Sequence, residues 1–361
     1  MDRNIIKEFI REDVRNLLPE LCALHGVAGF EKEVSDFLLE VVSPYVDEIS
    51  VDKIGNVIST LNGSSKQNPT IMLAAHMDEI GLIVKHIDED GFIFFDKIGG
   101  IRNQDLFSSE VIIKSKNKKF KGLLNCNKPG RPKAVEKIPD LDDFFIDVGA
   151  NKRSEVVQMG IDIGDTIVID KPFNFIGDNK ITGKALDDRL LIFVIIEVLK
   201  IINHFNINTT TLFPVFTVQE EVGCRGAKAS AFSLSPDIAL AFDVTVSNDI
   251  PDVKSRNYIS KIGEGVAIKV MDRIGGLFGL IASKEIKDDL IETAKKNNIK
   301  YQLEIFPSGS TDGATINLER GGIPTGVLDI PARYVHANEM VSLKDVIEVI
   351  YLIIMYLQNF N

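Results

Sequence analysis

The sequence predicts an α/β protein in which a mixed sheet is flanked by helices and an all-β domain is inserted into it. Helical and strand patterns alternate over residues 1–79 and again from about residue 178. Between about 80 and 172 the pattern changes to short alternating strands joined by hairpin turns. An inserted β domain accounts for the return of the α/β pattern better than two domains in series.

Two helices are expected near the start of the chain, over 12–24 and 31–43, where apolar residues recur at helical spacing. Three short runs rich in β-branched or apolar residues follow at 46–51, 55–61 and 70–75, and these predict strands. The last run is apolar throughout, so we expect it to be buried on both faces of the sheet.

The inserted region has turn sequences at 88–91 and 115–119, which indicate two hairpins. Residues 1–79 contain too few elements to enclose a hydrophobic core alone. We therefore predict that 1–79 plus 173–361 form one α/β domain, and that 80–172 form an inserted β-rich domain.

The α/β pattern after residue 178 consists of helical segments between apolar strands. The expected elements are helices at 186–202, 284–297 and 343–358, and strands at 211–218, 237–242, 265–271, 301–306 and 325–330. In an open α/β sheet, ligands bind beyond the carboxyl ends of the strands. The polar residues that follow these strands are therefore the candidates for function.

Composition excludes several classes of protein. The 361-residue chain carries 52 acidic and 41 basic residues, a formal charge of −11, so no nucleic-acid partner is expected. Three widely spaced cysteines fit neither a disulfide framework nor a thiolate zinc site, and the charged N-terminus lacks the apolar core of a signal peptide. The longest apolar stretch, 349–357, is about half of a membrane span. We expect a cytoplasmic protein with no membrane partner.

Nearly all of the polar residues that follow the predicted strands are of metal-ligand types. They are His76 and Asp78 after 70–75, Asp187 and Asp188 at the start of the long helix, Glu220 and Glu221 after 211–218, Asp243 after 237–242, and His336 after 325–330. Imidazole and carboxylate together suit Zn²⁺ or Co²⁺, and also Mn²⁺. We predict a catalytic centre with two divalent ions per subunit, roughly 3.5–4 Å apart, that share a bridging carboxylate and a water.

Spacing also separates the roles of neighbouring residues. Successive side chains of an extended segment face opposite ways, so one of Glu220 and Glu221 can ligate while the other handles the proton of the water. Asp78 lies two residues after His76 and returns to the same face, where it can accept the second ring N–H of the histidine.

Six blocks of sequence carry a resemblance to a known family. They are HMDEIG (76–81), GKALDDR (183–189), QEEVGCRGA (219–227), AFDVT (241–245), KVMDR (269–273) and IPARYVH (330–336). In this order they resemble peptidase family M42, the co-catalytic metallo-aminopeptidases that include the tetrahedral (TET), glutamyl and deblocking aminopeptidases. The resemblance runs from about residue 15 to the C-terminus.

The resemblance implies a zinc-peptidase-like catalytic domain and an inserted PDZ-like or β-barrel dimerisation domain. It also implies a particular ligand set. That set is Asp187 as the bridge between the two metals, His76 and Asp243 for one metal, and Glu221 and His336 for the other. The implied partners are peptide substrates and further copies of the chain, as a dimer or a tetrahedral dodecamer.

The same resemblance implies hydrolysis of N-terminal peptide bonds, with Glu220 as general base toward the metal-bridged water and Asp78 as the residue that orients the first histidine. Thr311 and Asp312 lie in a polar loop and are candidates for the substrate pocket. The sequence departs from the family pattern in this loop and at 125–133, where a Pro-Pro-His is lacking. These departures leave the metal ligands intact and bear on side-chain preference.

Two other functions stay open at this point. One is a glycoside hydrolase of cellulase type, since two carboxylates can act as acid and base, although that chemistry needs no set of five metal ligands. The other is an assembly protein that keeps the fold without catalysis. A basic strip at 114–121 is expected to be the solvated face of a hairpin or a contact in an oligomer.

Overall fold

The structure is a computed structural model that describes residues 2–65, 67–127, 138–274 and 278–360. Part of the insert segment discussed above, 128–133, lies outside the described residues. The helices within the described ranges are α1 (Arg3–Phe9), α2 (Leu17–Ala23), α3 (Lys32–Val42), α4 (Arg153–Met159), α5 (Leu186–His204), α6 (Arg225–Leu234), α7 (Lys284–Lys296), α8 (Gly313–Ile316) and α9 (Leu343–Leu357).

The strands form an 11-stranded mixed sheet and a closed barrel. They are β1 (Glu48–Val51), β2 (Val57–Thr60), β3 (Ile71–His76), β4 (Gly81–Ile87), β5 (Ile93–Ile98), β6 (Ser109–Ser115), β7 (Lys118–Cys126), β8 (Phe144–Asp147), β9 (Thr166–Ile169), β10 (Asn174–Ile176), β11 (Lys180–Gly183), β12 (Leu212–Thr217), β13 (Ile238–Val246), β14 (Val266–Asp272), β15 (Tyr301–Phe306), β16 (Thr325–Arg333) and β17 (Glu339–Ser342).

The centre of the large sheet is parallel. Strands β12, β3, β13 and β16 lie side by side and run in the same direction, so their carboxyl ends meet at one edge. The full order is β1-β2-β12-β3-β13-β16-β17-β11-β10, with β14 paired to β16 and to β15. The chain enters the barrel directly after β3 and returns through β10 and β11 to α5. The barrel is therefore attached at the edge where the carboxyl ends gather.

Alternate side chains of β3 enter two different hydrophobic cores. Ile71, Leu73 and Ala75 pack in the larger core with α5 and α9, whereas Met72 and Ala74 pack in a smaller core with α6. Every residue of β3 is buried. The expectation that this strand is covered on both faces is confirmed, and the mixed sheet with flanking helices is the predicted fold class.

Helix α5 is the central helix of the larger core. Sixteen of its 19 residues are buried, and its sequence is apolar on all sides rather than along one stripe. Each fully buried aliphatic or aromatic side chain contributes roughly 1.5–3 kcal/mol to stability. The first turn of this helix is consequently held in place by extensive packing, and that turn carries Asp187.

The inserted barrel closes in the order β4-β5-β8-β7-β6-β9 and has a hydrophobic core of its own. Closure pairs all of these strands and leaves no open edge in the barrel. Its strands lie between residues 81 and 169, inside the range that the sequence predicts for the insert.

Glu33 of α3 joins the α/β layers to the barrel. Its carboxylate accepts hydrogen bonds from Lys114 and Lys119, each at 2.7 Å, and from the backbone N–H of His25 at 3.1 Å. Burial opposes ionisation of Glu33, but these donors outweigh it and lower the pKa to about 2. Two lysines of the basic strip therefore make a contact within the chain that neither sequence interpretation included.

The observed elements differ from the expected ones in a few places. Helices α1, α6 and α8 and strands β10, β11 and β17 were not expected. Helix α6 escapes detection because it is built mainly from small and polar residues and buries only Gly226, Ala227, Ser230 and Ala231. Strand β13 continues past the predicted end at residue 242. Within the described ranges, no helix combines the length and apolar character needed to cross a bilayer.

His25 is buried where the α/β domain meets the barrel. Its ring is 1% exposed, with Nε2 at 2.7 Å from Thr166 Oγ1, and burial lowers its pKa to about 4. In the unfolded chain His25 takes up a proton near pH 6.5, whereas in the folded chain it stays neutral down to about pH 4. We expect His25→Gln to abolish a stability loss of about 3 kcal/mol that the native protein suffers between those pH values.

Urea unfolding at pH 7, 5 and 4 measures this loss. The matched control is His86→Gln, at an exposed histidine of the barrel. It should follow the native protein at every pH. Equal acid sensitivity of His25→Gln and the native protein would show that His25 is not the titrating group.

Candidate metal centre

Five of the predicted metal ligands come together at the carboxyl edge of the parallel strands. His76 is the last residue of β3, and Asp243 lies within the neighbouring strand β13. Asp187 lies in the first turn of α5. Glu221 follows β12 and His336 follows β16, which are the next parallel strands on either side. Residues far apart in sequence are thus brought to one place by strand order.

His76, Asp187 and Asp243 form the first group of candidate ligands. Their ligand atoms all lie within 4.8 Å of one another. His76 Nε2 is 3.1 Å from Asp187 Oδ1 and 4.0 Å from Asp243 Oδ1. The other ring nitrogen, Nδ1, donates to the backbone carbonyl of Asp78 at 3.0 Å. This bond leaves the Nε2 lone pair facing the carboxylates, which is the tautomer a metal-binding histidine requires.

Asp187, Glu221 and His336 form the second group, also within 4.8 Å. His336 Nε2 is 3.0 Å from Glu221 Oε1 and 3.3 Å from Asp187 Oδ2. Its Nδ1 donates to the carbonyl of Gly100 at 3.1 Å, in the segment that follows β5 of the barrel. Asp187 therefore offers one carboxylate oxygen to each group.

Glu220 lies beside the first group, and Asp78 holds it there. Glu220 Oε2 is 3.9 Å from His76 Nε2, and Oε1 is 3.2 Å from Cys224 Sγ. The Asp78 carboxylate accepts the backbone N–H groups of Glu220 and Glu221 at 2.9 and 3.0 Å. It is 3.6 Å from His76 Nδ1, which is beyond a normal hydrogen bond. Asp78 thus orients His76 through its carbonyl and the two glutamates through its carboxylate.

Two further carboxylates position the backbone of the ligand residues. Asp188 Oδ2 accepts the N–H of His76 at 3.1 Å. Glu339 accepts the N–H groups of Asp187 and His336 at 3.0 and 3.1 Å, and the latter bond fixes a left-handed backbone at His336 (φ 66°). Sequence reasoning missed Glu339. The only signal was a carboxylate three residues after the last histidine.

The electrostatics of the site favour bound positive charge. Burial raises the pKa values of Glu220 and Asp243 well above their usual range. Burial opposes protonation of His336, but Glu221 and Asp187 outweigh it and raise its pKa to about 12. By themselves these side chains therefore hold protons that divalent cations would replace. The imidazole and carboxylate donor set, with both Nε2 atoms directed inward, fits such cations.

A cavity of about 430 Å³ opens beside the two groups. Its apolar wall is formed by Val244, Val246, Ile274, Phe278, Phe306 and Val335. Outside the metal centre, the remaining lining residues are 308–310, Gly100, Arg102, Gly223 and Cys224. The candidate pocket residues Thr311 and Asp312 are each 2% exposed and lie behind this wall. There the Thr311 carbonyl is 3.4 Å from Cys224 Sγ, and Asp312 Oδ2 accepts a hydrogen bond from Thr217 at 2.5 Å.

A fully buried lysine stands behind the cavity wall. Lys269 Nζ is 2.7 Å from Asp329 Oδ2, 3.3 Å from Glu304 Oε1 and 3.8 Å from Asp272 Oδ2. Burial disfavours the charged amine, but the three carboxylates outweigh it and raise its pKa. Asp272 in turn accepts the hydroxyl of Ser310, so this network links the sheet to the cavity wall.

The mixed sheet, the inserted barrel and the histidine–carboxylate centre define a metallopeptidase fold. The model of the M42 glutamyl aminopeptidase family matches residues 55–352, and the chain belongs to this family. Family membership makes it a peptidase hydrolase of the aminopeptidase type. The family resemblance inferred from the six sequence blocks is confirmed.

Individual relatives agree with this assignment. The lysyl aminopeptidase of Pyrococcus furiosus is 31% identical over 337 residues, covering 91% of this chain and 92% of that one. The solved aminopeptidase APDkam598 of Desulfurococcus kamchatkensis is 37% identical with a TM-score of 0.91, covering 98% and 95%. A TET1 peptidase of Pyrococcus horikoshii, described as able to assemble into a tetrahedron or a large octahedral shell, is 26% identical with a TM-score of 0.82, covering 96% and 99%.

The Lys269 network is expected to be essential for stability. Lys269→Met removes the cation among three buried carboxylates and should lower the free energy of unfolding by about 3–5 kcal/mol. The matched control is Lys284→Met, at an 88% exposed side chain that pairs with Asp288. That change should leave the free energy of unfolding almost unchanged, because an exposed ion pair contributes little. Denaturant unfolding compares the two variants, and equal small effects would contradict the argument.

Proposed function

We propose that the chain is a dinuclear metal-dependent aminopeptidase that removes N-terminal residues from peptides. The observation that carries this proposal is the position of Asp187, whose two oxygens face His76 on one side and His336 on the other. A carboxylate placed between two ligand groups is what a bridged pair of ions requires. Asp243 would complete the first group and Glu221 the second.

Zinc or cobalt suits these ligands best, and manganese is also compatible with them. Two such ions, when bound, would polarise the scissile carbonyl and lower the pKa of the attacking water toward neutrality. The residues themselves supply orientation. Both imidazoles are fixed by Nδ1–H bonds to backbone carbonyls, and the Asp187 N–H is fixed by Glu339.

We assign the proton transfer to Glu220. Its Oε2 faces the first group at 3.9 Å from His76 Nε2, and Glu220 lines the cavity. It would accept the proton of the attacking water and deliver it to the leaving amine. The Asp78 carboxylate keeps it in place through the Glu220 backbone N–H.

The cavity is the candidate site for the side chain of the N-terminal residue. Apart from the residues of the metal centre, the charged side chain in the described lining is Arg102, which is paired with Asp105 at 2.6 Å. Burying an unpaired charge against an apolar wall is costly. The lining therefore favours apolar first residues.

We also propose that the protein works as a homo-oligomer, as a dimer or a larger assembly. The TET1 peptidase that it resembles can assemble into a tetrahedron or a large octahedral shell. The inserted barrel has a hydrophobic core of its own and is the candidate dimerisation domain. Light scattering of the purified protein would give the mass of the particle.

Chelation separates the proposed function from the remaining alternatives. After dialysis against a chelator, hydrolysis of leucyl-p-nitroanilide should be lost, and it should return when Zn²⁺ or Co²⁺ is added. Cellulose should not be cleaved under either condition. Survival of peptidase activity without metal would overturn the proposal, cellulose cleavage would favour a glycoside hydrolase, and inactivity of metal-loaded protein on all peptides would favour an assembly role.

Glu220→Gln is expected to keep the metal ions and lose turnover. Removal of a general base costs about 10²–10⁴-fold in rate, while the five proposed ligands are unchanged. Elemental analysis of the purified variant measures the bound metal, and kcat is measured on the same sample. A variant with near-native kcat would show that Glu220 does not carry the proton.

The apolar wall predicts the order of substrates. We expect kcat/KM for leucyl and phenylalanyl p-nitroanilides to exceed that for glutamyl and lysyl substrates by about tenfold or more. Val246→Asp places a carboxylate in the lining and should raise lysyl relative to leucyl turnover. Val51→Asp, at a 44% exposed position in β1 of the α/β domain, is the matched control and should leave the ratio unchanged. An unchanged ratio in Val246→Asp would place the side-chain pocket elsewhere.

A further inference from the structure

A third group of candidate ligands lies behind Glu220. Glu220, Cys224 and Asp312 each offer a ligand atom, and these atoms all lie within 4.8 Å of one another. The group shares no residue with the two groups around Asp187, and of the groups found in the described residues it is the one that contains a thiol. Cys224 Sγ is 3.2 Å from Glu220 Oε1.

Asp312 gives this cluster an unsatisfied acceptor. The side chain is 2% exposed. Its Oδ2 accepts the hydroxyl of Thr217, whereas Oδ1 is buried and has no hydrogen-bond partner in the described part of the chain. A buried carboxylate oxygen without a donor is costly, and a cation is one of the few groups that would satisfy it.

The one short separation in the group is close to that between ligands of a small tetrahedral ion. Zinc bonds of roughly 2.0–2.3 Å place neighbouring ligand atoms roughly 3.3–3.8 Å apart. The separation of 3.2 Å between Cys224 Sγ and Glu220 Oε1 is already close to that range. Cys224 also lines the cavity, which has room for a water as a fourth ligand. Mixed thiolate and carboxylate ligands select thiophilic divalent ions such as Zn²⁺ and Cd²⁺.

We propose that Glu220, Cys224 and Asp312 form a third, inhibitory site for a thiophilic divalent cation, separate from the two-ion centre. As the metal–sulfur bond forms, the Cys224 thiol releases its proton to solvent. Binding occupies Glu220 Oε1 and weakens the carboxylate as a proton acceptor. The inhibitory effect, though not the binding, rests on the proposed role of Glu220 as general base.

Cadmium titration of the intact, zinc-loaded protein tests the site. The native protein should bind one ion more per chain than Cys224→Ser, measured by equilibrium dialysis and elemental analysis. It should also develop the ultraviolet thiolate–cadmium charge-transfer band that this variant lacks. Cys22→Ser removes a buried cysteine outside the group and should behave as the native protein. Asp312→Asn keeps the thiol and should bind the extra ion at least about tenfold more weakly, a loss of about 1.4 kcal/mol.

Inhibition gives an independent readout. Each protein is compared with its own rate before cadmium is added, and Cys224→Ser should need at least about tenfold more Cd²⁺ than the native protein for half inhibition. Equal ion counts in the native protein and Cys224→Ser, or the absence of the charge-transfer band from the native protein, would overturn the third site. Failure of the proposed two-ion centre would give a different result from failure of the third site, because Cys224→Ser would then bind no zinc.

Discussion

The burial of carboxylates at one edge of the parallel sheet is the constraint on which the rest of the structure depends. Asp78, Asp187, Asp188, Asp243 and Glu339 are all less than 9% exposed. Buried carboxylates are tolerated only where donors, protons or cations compensate them. The fold supplies donors through backbone N–H groups and protons through two imidazoles. We propose that divalent ions are the cations that compensate the remaining charge.

The same carboxylates make the site rigid. Asp78, Asp188 and Glu339 each accept N–H groups of the residues whose side chains form the centre. The ligand side chains therefore stand on a backbone that is itself hydrogen-bonded, and both histidines are held at Nδ1. Such preorganisation reduces the reorganisation required when cations and substrate bind. The barrel takes part directly, because the carbonyl of Gly100 holds His336.

A second buried cluster supports the first from behind. Lys269 neutralises part of the charge of Asp329, which lies opposite Asp243 in the register of β13 and β16. Through Asp272 it also reaches Ser310 in the cavity wall. The position of Asp243 and the shape of the cavity thus both depend on the charge of Lys269.

The sequence was sufficient for the ligand types because each lies near the end of an apolar run, and parallel strands bring such ends together. His76 and His336 were identifiable for this reason. The hydrogen-bond and ion-pair partners of these side chains were not predictable from the sequence, because they depend on which groups the fold brings together in space. The support given by Glu339, the pairing of Glu33 with Lys114, and the burial of Lys269 are all of this kind. A lysine in a strand ordinarily indicates a solvated face.

The prediction for Asp243 shows the same limit. The residue was identified as a ligand type, yet the apolar pattern ended the strand before it, whereas β13 continues to Val246. A residue near the end of a strand can keep its backbone hydrogen bonds to the neighbouring strands without having an apolar side chain. This holds for a carboxylate that a functional centre covers, such as that of Asp243. Boundaries were therefore less predictable than the identities of the residues near them.

The central claim is that Asp187 bridges two ions. An anomalous-difference map from crystals of the zinc-loaded protein tests it most directly. We predict two peaks, roughly 3.5–4 Å apart, on opposite sides of the Asp187 carboxylate, one beside His76 and the other beside His336. A single peak, or two peaks that do not share Asp187, would contradict the account.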